Sequence, residues 1–299
     1  MNMADHPPLR GELREREPMA RHVSWRAGGC ADRAYLPADL DDLRAFVAAR
    51  PADEALYFVG LGSNLLVRDG GLRGTVVLTQ NALKSLRLED DTLYAEAGVP
   101  SPKVARFAAA SGFEGAEFLA GVPGTVGGAL AMNAGCYGGE TWSIVEAATT
   151  LDRGGRLHRR SALDYEIGYR RVQLKAGDEE WFVAARFHLP RGDAAKASAM
   201  IKQLLERRMA AQPLDQPNAG SVFRNPPGKH AARLLEACGL KGRKSGDAMI
   251  SDKHANFIVN LGAARAADIE ALIEFAEQVV REKFGIQLER EVRIVGDPA

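Results

Sequence analysis

The chain contains two glycine-rich stretches, Gly60-Leu-Gly-Ser-Asn-Leu-Leu-Val-Arg-Asp69 and Ala120-Gly-Val-Pro-Gly-Thr-Val-Gly-Gly-Ala-Leu-Ala-Met-Asn-Ala-Gly-Cys-Tyr-Gly-Gly139. Glycine lets a ligand approach the backbone closely and lets neighbouring N–H groups converge on one anion. The first stretch lies between apolar runs at 56–59 and 65–67, which predicts a loop joining two strands. The second predicts a turn at 123–125 and then a short helix over 126–132, whose first N–H groups would face a phosphate.

Two familiar phosphate motifs do not fit these stretches. The first stretch lacks the third glycine of the dinucleotide-binding fingerprint, and Gly242-Arg-Lys-Ser245 lacks the upstream spacing of a P-loop. The sequence therefore favours a glycine-lined site for a phosphate-bearing ligand outside the Rossmann and P-loop classes.

Composition limits the classes of partner. The 299 residues include 39 Lys and Arg and 39 Asp and Glu, so the net charge of zero provides no overall attraction to nucleic acid or to an anionic membrane. No apolar run approaches the roughly 20 residues that span a bilayer, so we expect no membrane insertion. Three isolated cysteines and six scattered histidines predict a cytoplasmic protein without a metal. We expect a monomer.

The pattern of elements predicts an α+β (α/β) fold. We expect a flexible tail over 1–20, a first subdomain over 21–83, a second over 84–212 and a C-terminal domain over 213–299. Helices are predicted over 39–49, 194–210 and 268–284, the last ending at Gly285. Strands are predicted over 221–224 and, at the end of the chain, over 286–295.

Several motifs, in order along the chain, resemble the UDP-N-acetylenolpyruvoylglucosamine reductase family. They are Gly60-Leu-Gly-Ser-Asn-Leu-Leu66, Ala120-Gly-Val-Pro-Gly-Thr-Val-Gly-Gly-Ala129, Asn133-Ala-Gly135, Gly168-Tyr-Arg170, Ala219-Gly-Ser-Val-Phe-Arg-Asn-Pro226 and Glu291-Val-Arg293. The resemblance implies an FAD-binding fold of the vanillyl-alcohol oxidase type in two subdomains, followed by an α/β substrate-binding domain. It also implies FAD as cofactor, NADPH as hydride donor, and reduction of UDP-N-acetylglucosamine enolpyruvate to UDP-N-acetylmuramate for peptidoglycan synthesis.

The resemblance assigns three catalytic residues. Arg170 would stabilise the negative charge that develops on the substrate, Ser221 would donate the proton, and Glu291 would assist Arg170 at the carboxyl end. Sequence pattern alone does not distinguish Glu291 from Glu289, because both would lie on one face of the predicted final strand.

The resemblance also assigns binding residues. Those expected to hold FAD are Gly60, Leu61, Gly62, Ser63, Asn64, Leu65, Gly121, Val122, Pro123, Gly124, Thr125, Gly127, Gly128, Asn133 and Gly135. Those expected to bind the nucleotide sugar are Arg224, Asn225, Lys253 and Arg293.

The chain departs from the family pattern at three points. Ser221 follows Arg170 by only 51 residues, which is too few for the tyrosine-bearing loop of the longer family members, so this chain resembles the short form. Val172 and Ala211 stand where the family commonly has polar and basic residues. A supporting hydrogen bond near Arg170 and one contact to the substrate diphosphate are therefore in question.

Two other functions stay open at this point. One is another FAD-dependent oxidoreductase of the same fold, acting on an alcohol or hydroxy acid. The other is a non-catalytic nucleotide-sugar binding protein, which would bind UDP without turnover and would lack the flavin colour. The sequence also has no motif that distinguishes NADPH from NADH.

Overall fold

The fold is known from a computed structural model, which describes residues 8–177 and 179–299. The helices are α1 (Leu40–Ala48), α2 (Ser101–Ala110), α3 (Val126–Ala131), α4 (Ala194–Ala211), α5 (Ala231–Ala237) and α6 (Ala266–Phe284). Within the described ranges, no helix is both long and apolar enough to cross a membrane.

The strands lie mostly in consecutive groups between these helices. They are β1 (Glu12–Pro18), β2 (Cys30–Leu36), β3 (Leu56–Val59), β4 (Leu65–Val67), β5 (Leu72–Leu78), β6 (Leu86–Glu89), β7 (Thr92–Glu96), β8 (Gly135–Cys136), β9 (Gly139–Glu140), β10 (Val145–Asp152), β11 (Leu157–Arg160), β12 (Tyr165–Gly168), β13 (Arg171–Leu174), β14 (Glu180–His188), β15 (Lys244–Ser245), β16 (Ala248–Ile250), β17 (Ile258–Asn260) and β18 (Arg293–Val295). A four-stranded sheet has the order β1-β2-β5-β3.

The described chain divides into two compact units. The first contains residues 8–14, Arg33–Gly60 and Gly74–Glu206. Its main sheet has the order β11-β10-β14-β7-β6, and its pairs are antiparallel. Alanines of α2 and α3 and the aromatic side chains of Phe113, Phe118, Trp142 and Phe187 lie together in one buried cluster. Small helix residues let the backbone of α3 lie close to this core.

The second unit contains Glu15–Asp32, Leu61–Arg73 and Arg207–Ala299. The apolar face of α6 packs in a buried cluster with residues of α5, β16 and β17, and Trp25 and Leu66 belong to the same cluster. The parallel pairing of β4 with β18 brings an early segment of the chain into this unit. The three-domain division stated above stays a prediction.

Two expectations about regular structure were wrong. Glu12–Pro18 forms β1, although 1–20 was expected to be a flexible tail. This strand is mostly exposed and therefore has no apolar alternation to reveal it. Residues 1–7 of that expected tail lie outside the described residues.

The other wrong expectation concerns the strands around the predicted catalytic residues. Only Arg293–Val295 of the strand predicted over 286–295 is regular, and 221–224 is irregular chain with a single bridge between Phe223 and Arg290. These segments bond through scattered backbone and side-chain contacts, which strand propensity does not report.

Candidate functional site

In the first unit the two glycine-rich stretches meet at Gly60 and Thr125. A Cβ atom added at Gly60 would lie 2.1 Å from Oγ1 of Thr125. Glycine at position 60 therefore lets the end of β3 pack directly against the turn that precedes α3. The first stretch does join two strands, β3 and β4, as predicted.

The start of α3 is less open than predicted. The N–H of Val126 donates to the carbonyl of Val99 at 2.9 Å, and the N–H of Gly127 donates to the carbonyl of Ala97 at 2.9 Å. Both donors hold the helix against the segment that follows β7. The expectation that the first N–H groups of this helix face a phosphate was therefore wrong for these two groups.

The predicted cofactor glycines differ in what occupies the space beside them. Added Cβ atoms would meet the Tyr137 ring at 2.7 Å from Gly121, Cβ of Ala97 at 3.0 Å from Gly127, and the carbonyl oxygen of Gly139 at 2.2 Å from Gly135. Gly128 is exposed, and a Cβ atom there would meet nothing within 4 Å among the described residues. A bare backbone facing open space fits a flat cofactor at Gly128, whereas protein packing explains the other three.

The rest of the second stretch has a defined place in the first unit. Gly124 has φ of 123° and its carbonyl accepts the N–H of Ser101 at 3.0 Å. Val122, Gly124 and Thr125 are buried, while Pro123 is exposed. The turn before α3 is therefore tied to the start of α2, which fixes the backbone that leads to Gly128.

Arg170 lies at the tip of a hairpin that the sequence reasoning missed. Gly168 pairs with Arg171, so Tyr169 and Arg170 form a two-residue turn between β12 and β13. Arg170 has a positive φ of 56°, which is uncommon for a side chain other than glycine and costs on the order of 1 kcal/mol. Such strain is often found at functional positions.

The Arg170 guanidinium is held close to the second glycine-rich stretch. Nη2 donates to the carbonyl of Gly135 at 2.9 Å and Nη1 donates to the carbonyl of Asn133 at 3.4 Å, while the ring of Tyr169 lies 4.9 Å from the guanidinium carbon. The structure therefore brings Arg170 to the segment of Asn133 and Gly135, which were predicted to hold FAD.

Asn133 is a buried residue whose side chain bonds to the segments around Arg170. Its side chain is 1% exposed; Oδ1 accepts the N–H of Trp142 at 3.1 Å, and Nδ2 donates to Glu140 at 2.9 Å and to the carbonyl of Gly168 at 3.3 Å. The amide thus contacts protein groups and joins α3 to the hairpin of Arg170. Its predicted contact with the cofactor stays a prediction.

In the second unit the structure brings Ser221 and Glu291 together. The N–H of Glu291 donates to the carbonyl of Val222, the residue after Ser221, at 2.7 Å. Ser221 and Glu291 are half-buried. Two residues that lie far apart in the sequence are therefore neighbours through one backbone hydrogen bond.

Asn64 connects the first glycine-rich stretch to this pair. Its Nδ2 donates to the carbonyl of Glu291 at 3.0 Å, and its own carbonyl accepts the N–H of Arg293 at 2.9 Å. Leu65 then pairs with Arg293 where β4 meets β18. Asn64, predicted as a cofactor contact, therefore also braces the backbone on both sides of Val292.

Glu289 and Glu291 make different contacts. The Glu289 carboxylate lies 3.4 Å from the Arg224 guanidinium, and the Arg224 N–H donates to the Glu289 carbonyl at 2.9 Å. Glu289 is therefore the ion-pair partner of Arg224. The N–H of Glu291 bonds to the carbonyl of Val222. The assignment of the functional carboxylate to Glu291 stays a prediction.

The remaining predicted substrate residues already have structural contacts. Oδ1 of Asn225 accepts the N–H of Ala231 at 3.0 Å, at the first residue of α5. Nζ of Lys253 donates to the carbonyl of Met209 at 2.6 Å, near the end of α4. Asn225 and Lys253 are exposed, so each also presents polar atoms to solvent.

Two side chains near this region, one buried and one half-buried, are not among the catalytic and binding residues assigned above. Asn256 is 4% exposed, and its side-chain amide bonds to both the N–H and the carbonyl of Phe223. His254 packs edge-on against Phe257, and burial lowers its pKa below the ordinary 6.5. The Asn256 contacts are long-range, so no local pattern could have revealed them.

Comparison with known proteins gives two domain matches. Residues 212–295 match the UDP-N-acetylenolpyruvoylglucosamine reductase, C-terminal domain, and residues 31–161 match an FAD binding domain. The two matches follow one another along the chain and include both glycine-rich stretches, Ser221 and Glu291.

Proteins that match this chain over nearly their whole length are also described as this reductase. The UDP-N-acetylenolpyruvoylglucosamine reductase of Thiobacillus denitrificans is 57% identical over 305 residues, with 97% of this chain and 94% of the relative covered. That of Nitrosospira multiformis is 55% identical over 318 residues, with 99% and 92% covered. The crystal structure of the Thermus caldophilus enzyme matches with a TM-score of 0.81 and 32% identity, over 95% of this chain and 98% of that one.

These matches confirm the predicted fold class and the resemblance that the motifs indicated. Because relatives well above 30% identity extend over nearly the whole chain, the protein belongs to the UDP-N-acetylenolpyruvoylglucosamine reductase family.

Proposed function

We propose that this protein reduces UDP-N-acetylglucosamine enolpyruvate to UDP-N-acetylmuramate, with FAD as cofactor and NADPH as hydride donor. The observation that carries the proposal is the hydrogen bond of 2.7 Å from the Glu291 N–H to the Val222 carbonyl, which places the carboxylate residue beside Ser221. Membership of the reductase family supports the substrate, and the match to an FAD binding domain supports the cofactor.

FAD, when bound, would supply the chemistry of hydride transfer from NADPH to the enolpyruvyl double bond. Gly128 would offer open backbone to the cofactor. Main-chain groups of residues 60–65 and of residues 121–125 are the proposed contacts to its phosphates. Asn133 and Gly135 hold the Arg170 side chain beside this stretch.

The protein residues stabilise the negative charge that develops on the substrate and donate the proton. Addition of hydride to the double bond leaves negative charge next to the substrate carboxylate, and the planar guanidinium of Arg170 stabilises it by two-point hydrogen bonding. Ser221 donates a proton from its hydroxyl to the adjacent carbon, and Glu291 assists Arg170 at the carboxyl end. Arg224, Asn225, Lys253 and Arg293 bind the nucleotide sugar.

The product is a precursor of peptidoglycan, so the reaction serves cell-wall synthesis and, through it, cell shape and cell division. The proposal also places the protein in the cytoplasm, acting as a monomer that needs no nucleic acid and no membrane.

The test is a two-step anaerobic experiment on the purified flavoprotein. NADPH is added first, and the flavin absorbance should fall. UDP-N-acetylglucosamine enolpyruvate is then added, and the absorbance should return without oxygen. UDP-N-acetylglucosamine, which lacks the double bond, is the control and should leave the flavin reduced.

Two outcomes would contradict the proposal. A colourless protein that binds UDP without turnover would indicate a nucleotide-sugar binding protein. A flavin that is reduced by an alcohol or hydroxy acid and not by NADPH would indicate an oxidase of the same fold.

A further inference from the structure

The side chain of Asn256 forms hydrogen bonds with one residue, Phe223, of the segment 221–224, here called the Ser221 segment. Its Oδ1 accepts the N–H of Phe223 at 3.0 Å, and its Nδ2 donates to the carbonyl of Phe223 at 2.8 Å. Its backbone carbonyl also accepts the N–H of Val222 at 2.9 Å. A planar amide that bonds both polar groups of one residue fixes the orientation of that residue, much as a neighbouring strand would.

The opposite edge of the same segment is held by the C-terminal segment. The carbonyl of Val222 accepts the N–H of Glu291 at 2.7 Å, and the N–H of Arg224 donates to the carbonyl of Glu289 at 2.9 Å. Residues 222–224 are therefore bonded on both edges although they form no regular strand. Ser221 is one peptide bond from this clamped segment, and it follows Gly220, whose φ is 74°.

We propose that Asn256 is the residue that positions Ser221 for proton transfer. This inference rests on the proposed function, because it concerns the orientation of the proton donor. Among the described residues, the hydrogen bonds of the Asn256 side chain all go to the backbone of Phe223. It would therefore act through the segment that carries Ser221 and is a positioning residue. Without the amide, Phe223 loses the partners of both its polar groups, and the chain before it can rotate the Ser221 hydroxyl away from the substrate carbon.

The chain offers a matched control in Asn260. This asparagine is 3% exposed, compared with 4% for Asn256. Its side chain also bonds only to backbone, with Oδ1 accepting N–H groups of Gly262 and Ala264 at 2.8 and 3.0 Å and Nδ2 donating to the carbonyl of Trp25 at 2.9 Å. Replacement by alanine removes a buried amide in both cases, but only Asn256→Ala releases the Ser221 segment.

The experiment measures the two half-reactions of the holoenzyme separately by anaerobic stopped flow. We expect Asn256→Ala to slow oxidation of the reduced flavin by UDP-N-acetylglucosamine enolpyruvate by about 10- to 100-fold, the size of effect that a displaced catalytic group produces. Reduction of the flavin by NADPH should be unchanged. Asn260→Ala should lower thermal stability comparably and should change neither half-reaction.

A double-mutant comparison tests whether Asn256 acts through Ser221. In the Ser221→Ala background, Asn256→Ala should cause no further loss in the oxidation step, because the group that it positions is already absent. Equal slowing of both half-reactions by Asn256→Ala, an undiminished oxidation rate, or additive losses in the double variant would each overturn the positioning role.

A second variant and the wild-type reaction distinguish failure of the positioning role from failure of the proposed function. If Asn256→Ala does not fold, Asn256→Asp retains an acceptor for the Phe223 N–H but sets a carboxylate oxygen against the Phe223 carbonyl, and the same selective loss in the oxidation step is expected. If the wild-type reduced flavin is not oxidised by the enolpyruvyl substrate at all, the proposed function fails and the positioning role fails with it. If wild type turns over and Asn256→Ala matches it, only the positioning role fails.

Discussion

At the scale of single residues, Ser221 is the centre of the proposed chemistry. A hydroxyl is a weak acid, so its effect depends on being placed close to the carbon that receives the proton. The backbone on the C-terminal side of Ser221 is fixed by Asn256 and Glu291, which is consistent with a residue whose position matters more than its acidity.

Replacement of Ser221 by alanine should separate the two half-reactions. We expect reduction of the flavin by NADPH to persist and oxidation by the enolpyruvyl substrate to slow by about 10²- to 10⁴-fold, the usual contribution of a general acid. The measurement is flavin absorbance in single-turnover mixing. Ser245→Ala, at another half-buried serine of the second unit, is the control and should behave as wild type. Equal losses in both steps would refute the proton-donor role.

Gly128 and Gly62 allow cofactor contact to be distinguished from backbone constraint. Gly128 is in α3 with open space beside it, so Gly128→Ala should raise the free energy of unfolding of the FAD-free protein by about 0.5–1 kcal/mol while weakening FAD binding. At Gly62, where φ is 60°, a Cβ atom would lie 2.2 Å from the His22 carbonyl oxygen, so Gly62→Ala should lower that free energy by about 1–3 kcal/mol.

Denaturant unfolding of the FAD-free protein and a fluorescence titration with FAD provide the two readouts for these variants. If Gly128→Ala binds FAD as tightly as wild type, the cofactor does not lie against that residue.

At the scale of elements, α6 shows how a helix is held at both ends. Asp69, from the segment after β4, accepts the N–H groups of Ala266 and Ala267 at 3.0 and 2.9 Å, and the adjacent Arg68 pairs with Glu270 at 2.7 Å. The hydrogen bonds from Arg68 lower the pKa of Glu270. Gly285 ends the helix with φ of 66°. The N-terminal cap therefore comes from a distant part of the sequence.

Asp69 should contribute measurably to the stability of the protein. We expect Asp69→Ala to lower the free energy of unfolding by about 1–2 kcal/mol, because it leaves two helix N–H groups without their carboxylate acceptor. Asp69→Asn keeps one strong acceptor and should lose less. Urea unfolding monitored by circular dichroism measures both, and a stability of Asp69→Ala equal to that of wild type would show that water replaces the cap.

The elements that the sequence predicted well are those with local signals. Apolar periodicity located α6, and Gly285 marked its end. The hairpin of β12 and β13 was missed even though its strands alternate, because its turn is Tyr169-Arg170 and no glycine or asparagine marks it. The contacts of Asn64 and Asn256 were missed because each joins segments that are distant in sequence.

The sequence predicted the function of the protein more completely than the geometry of its site. The order of the motifs was enough to identify the family, which the comparisons confirm. The roles of individual glycines could not be derived, since only the neighbouring atoms show that Gly121 and Gly135 face protein while Gly128 faces open space.

At the scale of the whole molecule, equal numbers of acidic and basic residues are arranged in many ion pairs. Asp152 is an example: burial would raise its pKa, but hydrogen bonds from the Arg156 N–H and from the side chains of His158 and Arg156 outweigh burial and lower the pKa from 3.8 to about 2. The pKa values of Asp42 and Glu180 are also lowered, because their hydrogen bonds outweigh the effect of burial. Such carboxylates stabilise the folded state only while they are ionised.

This arrangement predicts a specific loss of stability in acid. Because the folded pKa of Asp152 is depressed, its contribution is complete above 3.8 and disappears as the pH falls towards about 2. Asp152→Asn should lower the free energy of unfolding by about 2 kcal/mol at pH 7, and its difference from wild type should vanish across that acid range. Asp53→Asn, at an exposed turn, is the control and should match wild type. A constant difference at all pH values would contradict the ionic origin.

The parallel pairing of β4 with β18 has a consequence for how the protein is made. Leu65 pairs with Arg293, so β4 leaves the ribosome long before its partner has been translated. Until residues 291–295 emerge, the nascent chain has an unpaired strand edge there and Asn64 lacks both backbone partners. A polypeptide released by a premature stop before residue 293 would therefore lack the completed glycine loop, however well its remaining parts had folded.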